Sequence, residues 1–182
     1  MSVITLKNVR LSFPNIWTAK AFNEGQPAKF NANFLLDKDG DKDQIDALRK
    51  AIKQAATVHF NGEIPKNIKQ FLGDGSEKAY DGYENAMFVS ASGKNRPTII
   101  DRDRTPLVEE DGKLFAGCYV NAAISIWIMD NKWGKRVNAN LVAIQYVKDG
   151  EAFGSGAVKA DAIFDDISAE SLADAETDDF LS

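Results

Sequence analysis

The sequence predicts a mainly β fold: a small barrel with one inserted α-helix, followed by a disordered acidic C-terminal tail. Three observations lead there. Residues 117–129 and 137–147 are two β-rich runs that flank a short polar connection, Asp130 to Arg136, containing Gly134; this is the pattern of a β-hairpin. One stretch only, from Asp43 to about Phe60, carries apolar residues at helical spacing. The last 22 residues hold eight of the 27 acids and no Lys or Arg.

Along the chain, Val3 to Phe13 reads as a first strand. Ile4 and Leu6 lie on one parity and Val9, Leu11 and Phe13 on the other. A bulge near Lys7-Asn8 would keep both sets on the core, because one extra residue shifts the side-chain alternation by one. Pro14-Asn15 is expected to end this strand, with Trp17 and Phe22 in the loop that follows. Lys29 to Leu36 forms a second strand, with Phe30, Ala32, Phe34 and Leu36 inward and Lys29, Asn31 and Asn33 outward.

Asp37-Lys38-Asp39-Gly40-Asp41 reads as a turn. It departs from a calcium-binding EF-hand loop, with glycine at the fourth position instead of the sixth and Leu48 at the twelfth. In the helix, Ile45, Leu48, Ile52, Ala55 or Ala56, and His59 form the apolar line, and Asp43 is its expected N-cap. Pro65 to Leu72, with Pro near its start and Gly73 beyond its end, suggests a second short helix. A polar loop, Gly73 to Glu84, carries Tyr80 and Tyr83. Ala86 to Ala91 is the third strand, and Ser92 to Pro97 a basic turn with Lys94 and Arg96. Thr98-Ile99-Ile100 is a short extended piece, and Leu107-Val108 with Leu114-Phe115 suggests a small hairpin.

The long hairpin closes the ordered part. On its first arm Cys118, Val120, Ala122, Ile124, Ile126 and Ile128 share one face. Tyr119, Asn121, Ala123, Ser125, Trp127 and Met129 share the other. Ala157 to Phe164 is a last partly ordered piece, and beyond it the tail has too few apolar residues to offset its ordering entropy. The domains are therefore 1–164 and a flexible tail, 165–182. Five or so strands with one helix between the second and third suit a Greek-key barrel of the OB type. An open α+β sheet has the same element order.

Composition narrows the function. A chain of 182 residues with 44% hydrophobic content holds one domain. No apolar run approaches the roughly 20 residues of a membrane helix, and the N-terminus has no secretory pattern. The lone Cys118 fits a reducing cytosol and a buried position. One Cys and one His provide no zinc cluster and no Ser-His or Cys-His pair beyond His59, which lies on a helix's apolar line. No phosphate-binding glycine loop or dinucleotide fingerprint is present. No catalytic residue, metal or cofactor is assigned. The net charge of −5 divides into a tail of −8 and a body, residues 1–160, of +3. A basic body with an acidic extension points to nucleic acid.

Binding of a single strand needs aromatic faces for bases and cations for phosphates. Tyr119 and Trp127 share an open face, and Trp133, Lys135 and Arg136 share the hairpin tip. Lys94 and Arg96 border a turn, and Arg10 and Lys29 lie on polar strand faces. Tyr80 and Tyr83 fit either loop packing or base stacking; Trp17, Phe22 and Phe88 read as core. Arg102 and Arg104 suit pairing with Asp101 and Asp103. The tail, with Asp174, Glu176, Asp178, Asp179 and Phe180, would compete for the groove and dock partner proteins.

Several segments together resemble a family. They are Val9-Arg10-Leu11-Ser12-Phe13-Pro14-Asn15, Lys29-Phe30 through Phe34-Leu35-Leu36, and Leu72-Gly73-Asp74-Gly75 with Tyr80-Asp81-Gly82-Tyr83. Others are Ala91-Ser92 with Arg96-Pro97 and Asp101, Phe115 to Val120, Asn140-Leu141 with Ile144-Gln145, and Asp149-Gly150-Glu151. In this order and rough spacing, over about residues 3–164, the chain resembles the phage single-stranded-DNA-binding replication proteins long catalogued as a domain of unknown function. The resemblance implies an OB-fold that binds single strands without strong sequence preference in phage DNA replication, recombination or repair. It also implies replication or recombination proteins as partners and the cytoplasm of the infected bacterial host as location. The tail resembles those of single-strand-binding proteins that end in acids and an aromatic, although here Leu181-Ser182 follow Phe180. The alternatives are a phage structural or adaptor protein using the same sheet, and a metal-dependent nuclease built on Asp101 and Asp103.

Overall fold

The structure, a computed structural model, describes residues 3–21 and 24–153. Among these residues the strands are β1 (Val3–Lys20), β2 (Lys29–Asp37), β3 (Lys69–Gln70), β4 (Leu72–Asp74), β5 (Ala86–Gly93), β6 (Thr98–Ile100), β7 (Tyr119–Asn131) and β8 (Gly134–Lys148), with one α-helix, α1 (Lys42–His59), after β2. β1 pairs antiparallel with β2, and β2 with β5. β5 runs parallel to β8, β8 antiparallel to β7, and β7 antiparallel back to β1. These pairings close a five-stranded barrel of the OB type, not the open sheet that the element order also allowed. Closure leaves those five strands without a free edge. β4 adds to the outside of β5, and β3 and β6 lie along β8.

The expected bulge is present. Leu6 pairs with Ala122 and Val9 with Val120, with a register shift between them and Asn8 at φ 55°. Leu6 and Val9 are therefore both buried, at 1% exposure each. A bulge leaves backbone groups without ladder partners. Here side chains take them: the Gln44 amide accepts from Lys7 N (2.8 Å) and donates to Lys7 O (2.9 Å). Asn121 Oδ1 accepts from Asn8 N. One glutamine of α1 thus ties the helix to the barrel where the ladder is broken.

β1 continues through Pro14-Asn15, contrary to expectation. A second shift falls between Ser12 and Asn15, with Phe13 at φ 45°. Pro14 sits inside this irregularity, where its missing N–H interrupts no regular ladder. Trp17 therefore belongs to the strand. The hairpin is also tighter than the sequence suggested: Asn131 pairs with Gly134 across the two-residue turn Lys132-Trp133.

In α1 the buried line is Ile45, Leu48, Ile52 and Ala56, continuous with the barrel core of Val9, Leu11, Phe34, Leu36, Val120 and Ile124. The N-cap is Asp41, not Asp43; its carboxylate accepts from Asp37 N and Gln44 Nε2. His59 is exposed and holds Asp130 at 3.0 Å, and Phe60 makes the packing contact expected of His59. The second helix does not form. Lys69–Gln70 and Leu72–Asp74 are strands instead, with Phe71 and Leu72 buried and Asn67 at φ 57°. So short a helix closes few hydrogen bonds for the residues it orders, whereas β8 and β5 offer ladder partners to Lys69–Gln70 and Leu72–Asp74. The small hairpin at 107–115 is replaced by a 3-10 turn, Glu109–Asp111, and a single bridge from Ile100 to Pro106. The Ala157–Phe164 piece and the 165–182 tail lie outside the described residues.

Candidate functional site

A cleft of about 700 Å³ runs across the outside of the barrel. Its walls come from the open end of the β1–β2 pair, the 78–83 loop, the outward face of β5 and the extended arm of β7 and β8. Among the described residues four cations line it, Lys20, Lys29, Lys78 and Arg136, and no carboxylate does. Lys20 and Lys29 stand directly opposite each other in register. Like charges in that relation are unfavourable on their own and become favourable when an anion lies between them. Arg136 Nε donates to Asn138 Oδ1 at 2.9 Å, which fixes the guanidinium against the cleft floor.

Aromatic faces alternate with these charges. Trp127 is 39% and Tyr80 42% exposed. Phe13 meets Tyr80 edge-on at 4.8 Å, and Lys78 Nζ lies 5.8 Å above the Phe88 ring. Gly73 makes room for Phe88: a Cβ there would come within 2.6 Å of the ring. Between the rings lie asparagines with defined orientation. Asn15 Nδ2 donates to Asn31 Oδ1, and Ser90 Oγ donates to Asn33 Oδ1. The cleft is therefore a strip of flat apolar faces, amides and cations, with the chemistry to stack planar rings and hold anions beside them.

Of the residues predicted for the site, Lys29, Tyr80, Trp127 and Arg136 line this cleft. Tyr83 lies at its base with a ring only 1% exposed, so it has no open face for stacking. Its hydroxyl donates to Ser12 Oγ (2.9 Å) and accepts from Asn33 Nδ2 (3.0 Å), and burial pushes its pKa up. Tyr83 is the support on which Tyr80 and Phe88 lean, with ring centroids 5.3 and 5.7 Å away.

The other predicted residues are elsewhere. Arg10 and Tyr119 line a separate hollow with Asn8 and Gly82. Tyr119 shares strand parity with Trp127, but the curvature of a closed barrel carries the two to different surfaces. Arg96 donates to the Trp17 carbonyl at 2.8 Å, beside a third hollow. Lys94 is exposed at the turn after β5 and does not line the cleft. Trp133, 80% exposed at the hairpin tip, stands beyond the cleft lining with Lys132 Nζ 4.9 Å over its ring. Lys135 reaches the Phe60 ring (5.5 Å) on the face away from Arg136. Asp101 is held by Lys113 at 2.6 Å and by the backbone N–H of Arg102 at 2.7 Å, not by the Arg102 or Arg104 side chains, and Asp103 by Thr105. These hydrogen bonds keep both carboxyls below the usual range. Among the described residues, no group of three or more His, Cys, Asp or Glu is placed to hold a metal ion.

Sequence reasoning missed Lys20, Lys78, Phe13, Phe88, Asn31, Asn33 and Asn138 as cleft residues. Alternation carried part of the signal, since Asn31 and Asn33 share the outward face of Lys29, and Phe88 alternates with the buried Met87 and Val89. For Lys20 and Lys78 no local pattern existed. Their place depends on β1 running past Pro14 and on the loop folding back over β5.

Comparison with known proteins adds an independent line. Residues 1–181 match the family described as Enterobacter phage Enc34, ssDNA-binding protein. Protein p50 of Acyrthosiphon pisum secondary endosymbiont phage 1 is 39% identical over 174 residues, 91% of this chain and 94% of that protein. Among solved structures, the single-stranded DNA-binding protein from bacteriophage Enc34 in complex with ssDNA aligns at TM-score 0.76 with 27% identity, covering 84% of this chain and 89% of the other. The gp2.5 single-stranded DNA-binding protein of bacteriophage T7 aligns at TM-score 0.55 with 10% identity, covering 87% and 98%, a likeness of fold alone. The chain belongs to the Enc34 ssDNA-binding protein family.

Proposed function

We propose that this member of the Enc34 family binds single-stranded DNA in the cleft between the β1–β2 end and the β7–β8 arm, without enzymatic activity. The observation that carries this is the lining itself: among the described residues four cations, no carboxylate, and aromatic faces at Tyr80, Phe88 and Trp127. Bases stack on the rings with little sequence preference, because every base has a π-face. Lys20, Lys29, Lys78 and Arg136 take the phosphates. The likeness to a relative solved with ssDNA supports the same reading. Residues 1–164 act as the binding domain and 165–182 as a tail. Its acids compete with DNA for the cleft, and its Asp178-Asp179-Phe180 end docks partner proteins. The role is protection of single strands during phage DNA replication, recombination or repair in the host cytoplasm.

The test is fluorescence anisotropy with labelled oligo-dT and a matched duplex, for the full chain and for a version ending at Phe164. Four phosphate-bound cations predict a log–log salt slope of about −3 on a single strand, at roughly 0.7 per contact. Absence of binding by either form at low salt overturns the proposal and leaves the adaptor role.

A further inference from the structure

Resting on that proposal, we infer that Arg10 and Phe153 are positioning residues for the cleft, acting through the Tyr80–Tyr83 loop rather than on DNA. The segment following β8 returns across the barrel as a strap. Phe153 N donates to Ala116 O at 2.9 Å. Arg10 ties the strap to the turn before β7: Nε donates to Gly117 O (3.2 Å), Nη2 donates to Glu151 O in the strap, and Cζ lies 4.0 Å from the centroid of the Phe153 ring. Glycines permit the closeness. A Cβ on Gly117 would collide with the Glu151 carbonyl, and one on Gly150 with the Gly117 carbonyl.

The ring so held is the underside of the loop. Phe153 packs against the buried set of Leu35, Tyr83 and Ala86. Gly82 (φ 84°) rests on it so tightly that a Cβ there would enter the ring. Tyr83, next in sequence, carries Tyr80 and Phe88 on its other side. A continuous stack therefore runs from Arg10 through Phe153, Gly82 and Tyr83 to the two rings that face the cleft. Arg10 lines none of that cleft, and its Nε and Nη2 donate to the Gly117 and Glu151 carbonyls. A phosphate contact predicts loss of a counterion on substitution; a positioning role predicts loss of affinity at unchanged salt slope.

The experiment uses the full chain with Arg10→Lys, Arg10→Ala, Phe153→Ala and Phe153→Leu, alone and with Tyr80→Ala. Two readouts are taken: oligo-dT affinity across salt, and amide hydrogen exchange over residues 78–84. Arg10→Lys keeps the charge but loses the two-carbonyl fork. The expected result is faster exchange in 78–84 for both Arg10→Lys and Phe153→Ala. Affinity falls about tenfold, the order of one lost base stack, with an unchanged salt slope and little further loss in the Tyr80→Ala background. Wild-type affinity for Arg10→Lys with a shallower slope for Arg10→Ala makes Arg10 a phosphate contact and overturns the inference. Unchanged exchange in 78–84 overturns it as well. If Phe153→Ala unfolds, Phe153→Leu and Arg10→Lys give the same decision. Loosened exchange in a wild-type background that binds no oligonucleotide removes the DNA reading and leaves the strap as support for the loop.

Discussion

At the scale of single residues, alternation along one strand separates neighbours that composition groups together. Lys135 and Arg136 are adjacent, yet Arg136 enters the cleft beside Asn138 and Lys135 lies over Phe60. Arg136→Gln is expected to lower the single-strand salt slope by about 0.7, and Lys135→Gln to leave it unchanged; anisotropy titrations at several salt concentrations compare them. Trp127 lines the cleft with an exposed face, and on the proposed reading a base stacks there. Trp127→Ala is expected to weaken oligo-dT binding by about 1–3 kcal/mol with an unchanged salt slope. Tyr83 shows the limit of residue-level reasoning. Loop position and residue type suited base stacking as well as packing, and what buries the ring includes Ser12, Asn33, Leu35 and Phe153, residues far away in the chain.

At the scale of elements, the segment from Pro65 to Leu72 is where pattern and structure part. Proline and glycine spacing suggested a helix, but Phe71 and Leu72 are buried only because β5 and β8 are already side by side. Two consequences can be measured just after it. Gly73→Ala forces its Cβ to within 2.6 Å of the Phe88 ring. It should destabilise by about 1–3 kcal/mol in denaturant unfolding and weaken DNA binding as Phe88 is displaced. Asp74 caps the Gly75–Glu77 turn and meets Lys38 at 2.7 Å. The Lys38 and Ser76 hydrogen bonds lower its pKa from the usual 3.8 to about 2. A folded-state pKa below the unfolded one stabilises fully above the unfolded value and fades as pH falls through the folded one. The stability difference between the wild type and Asp74→Asn should therefore be constant above about pH 5 and vanish towards pH 2 in acid-unfolding curves. The bulge at Asn8 lies at the opposite extreme. The parity change between Leu6 and Val9 announced it, although the Gln44 amide that completes it gave no sign in the pattern.

At the scale of the whole molecule, the charge division between body and tail sets the expectation for binding. A tail that competes for the cleft acts electrostatically, so its effect should shrink with salt. The chain ending at Phe164 is expected to bind oligo-dT more tightly than the full chain at low salt. The difference should close as salt approaches about 1 M, where the Debye length is near 3 Å; equal affinities at low salt count against competition. The sequence alone determined the strand faces, the one helix and its buried line, the bulge in the first strand, the long hairpin and the charge asymmetry. These are local matters, set by periodicity and composition within a few residues. The tertiary structure decided which outward faces share a surface. Closing five strands into a barrel turned Tyr119 and Arg10 away from Trp127. It also brought Lys20, Lys78 and Phe88 to the same cleft as Arg136. Such a cleft is made of residues tens of positions apart, and their adjacency follows from strand register and barrel curvature, which no local pattern encodes.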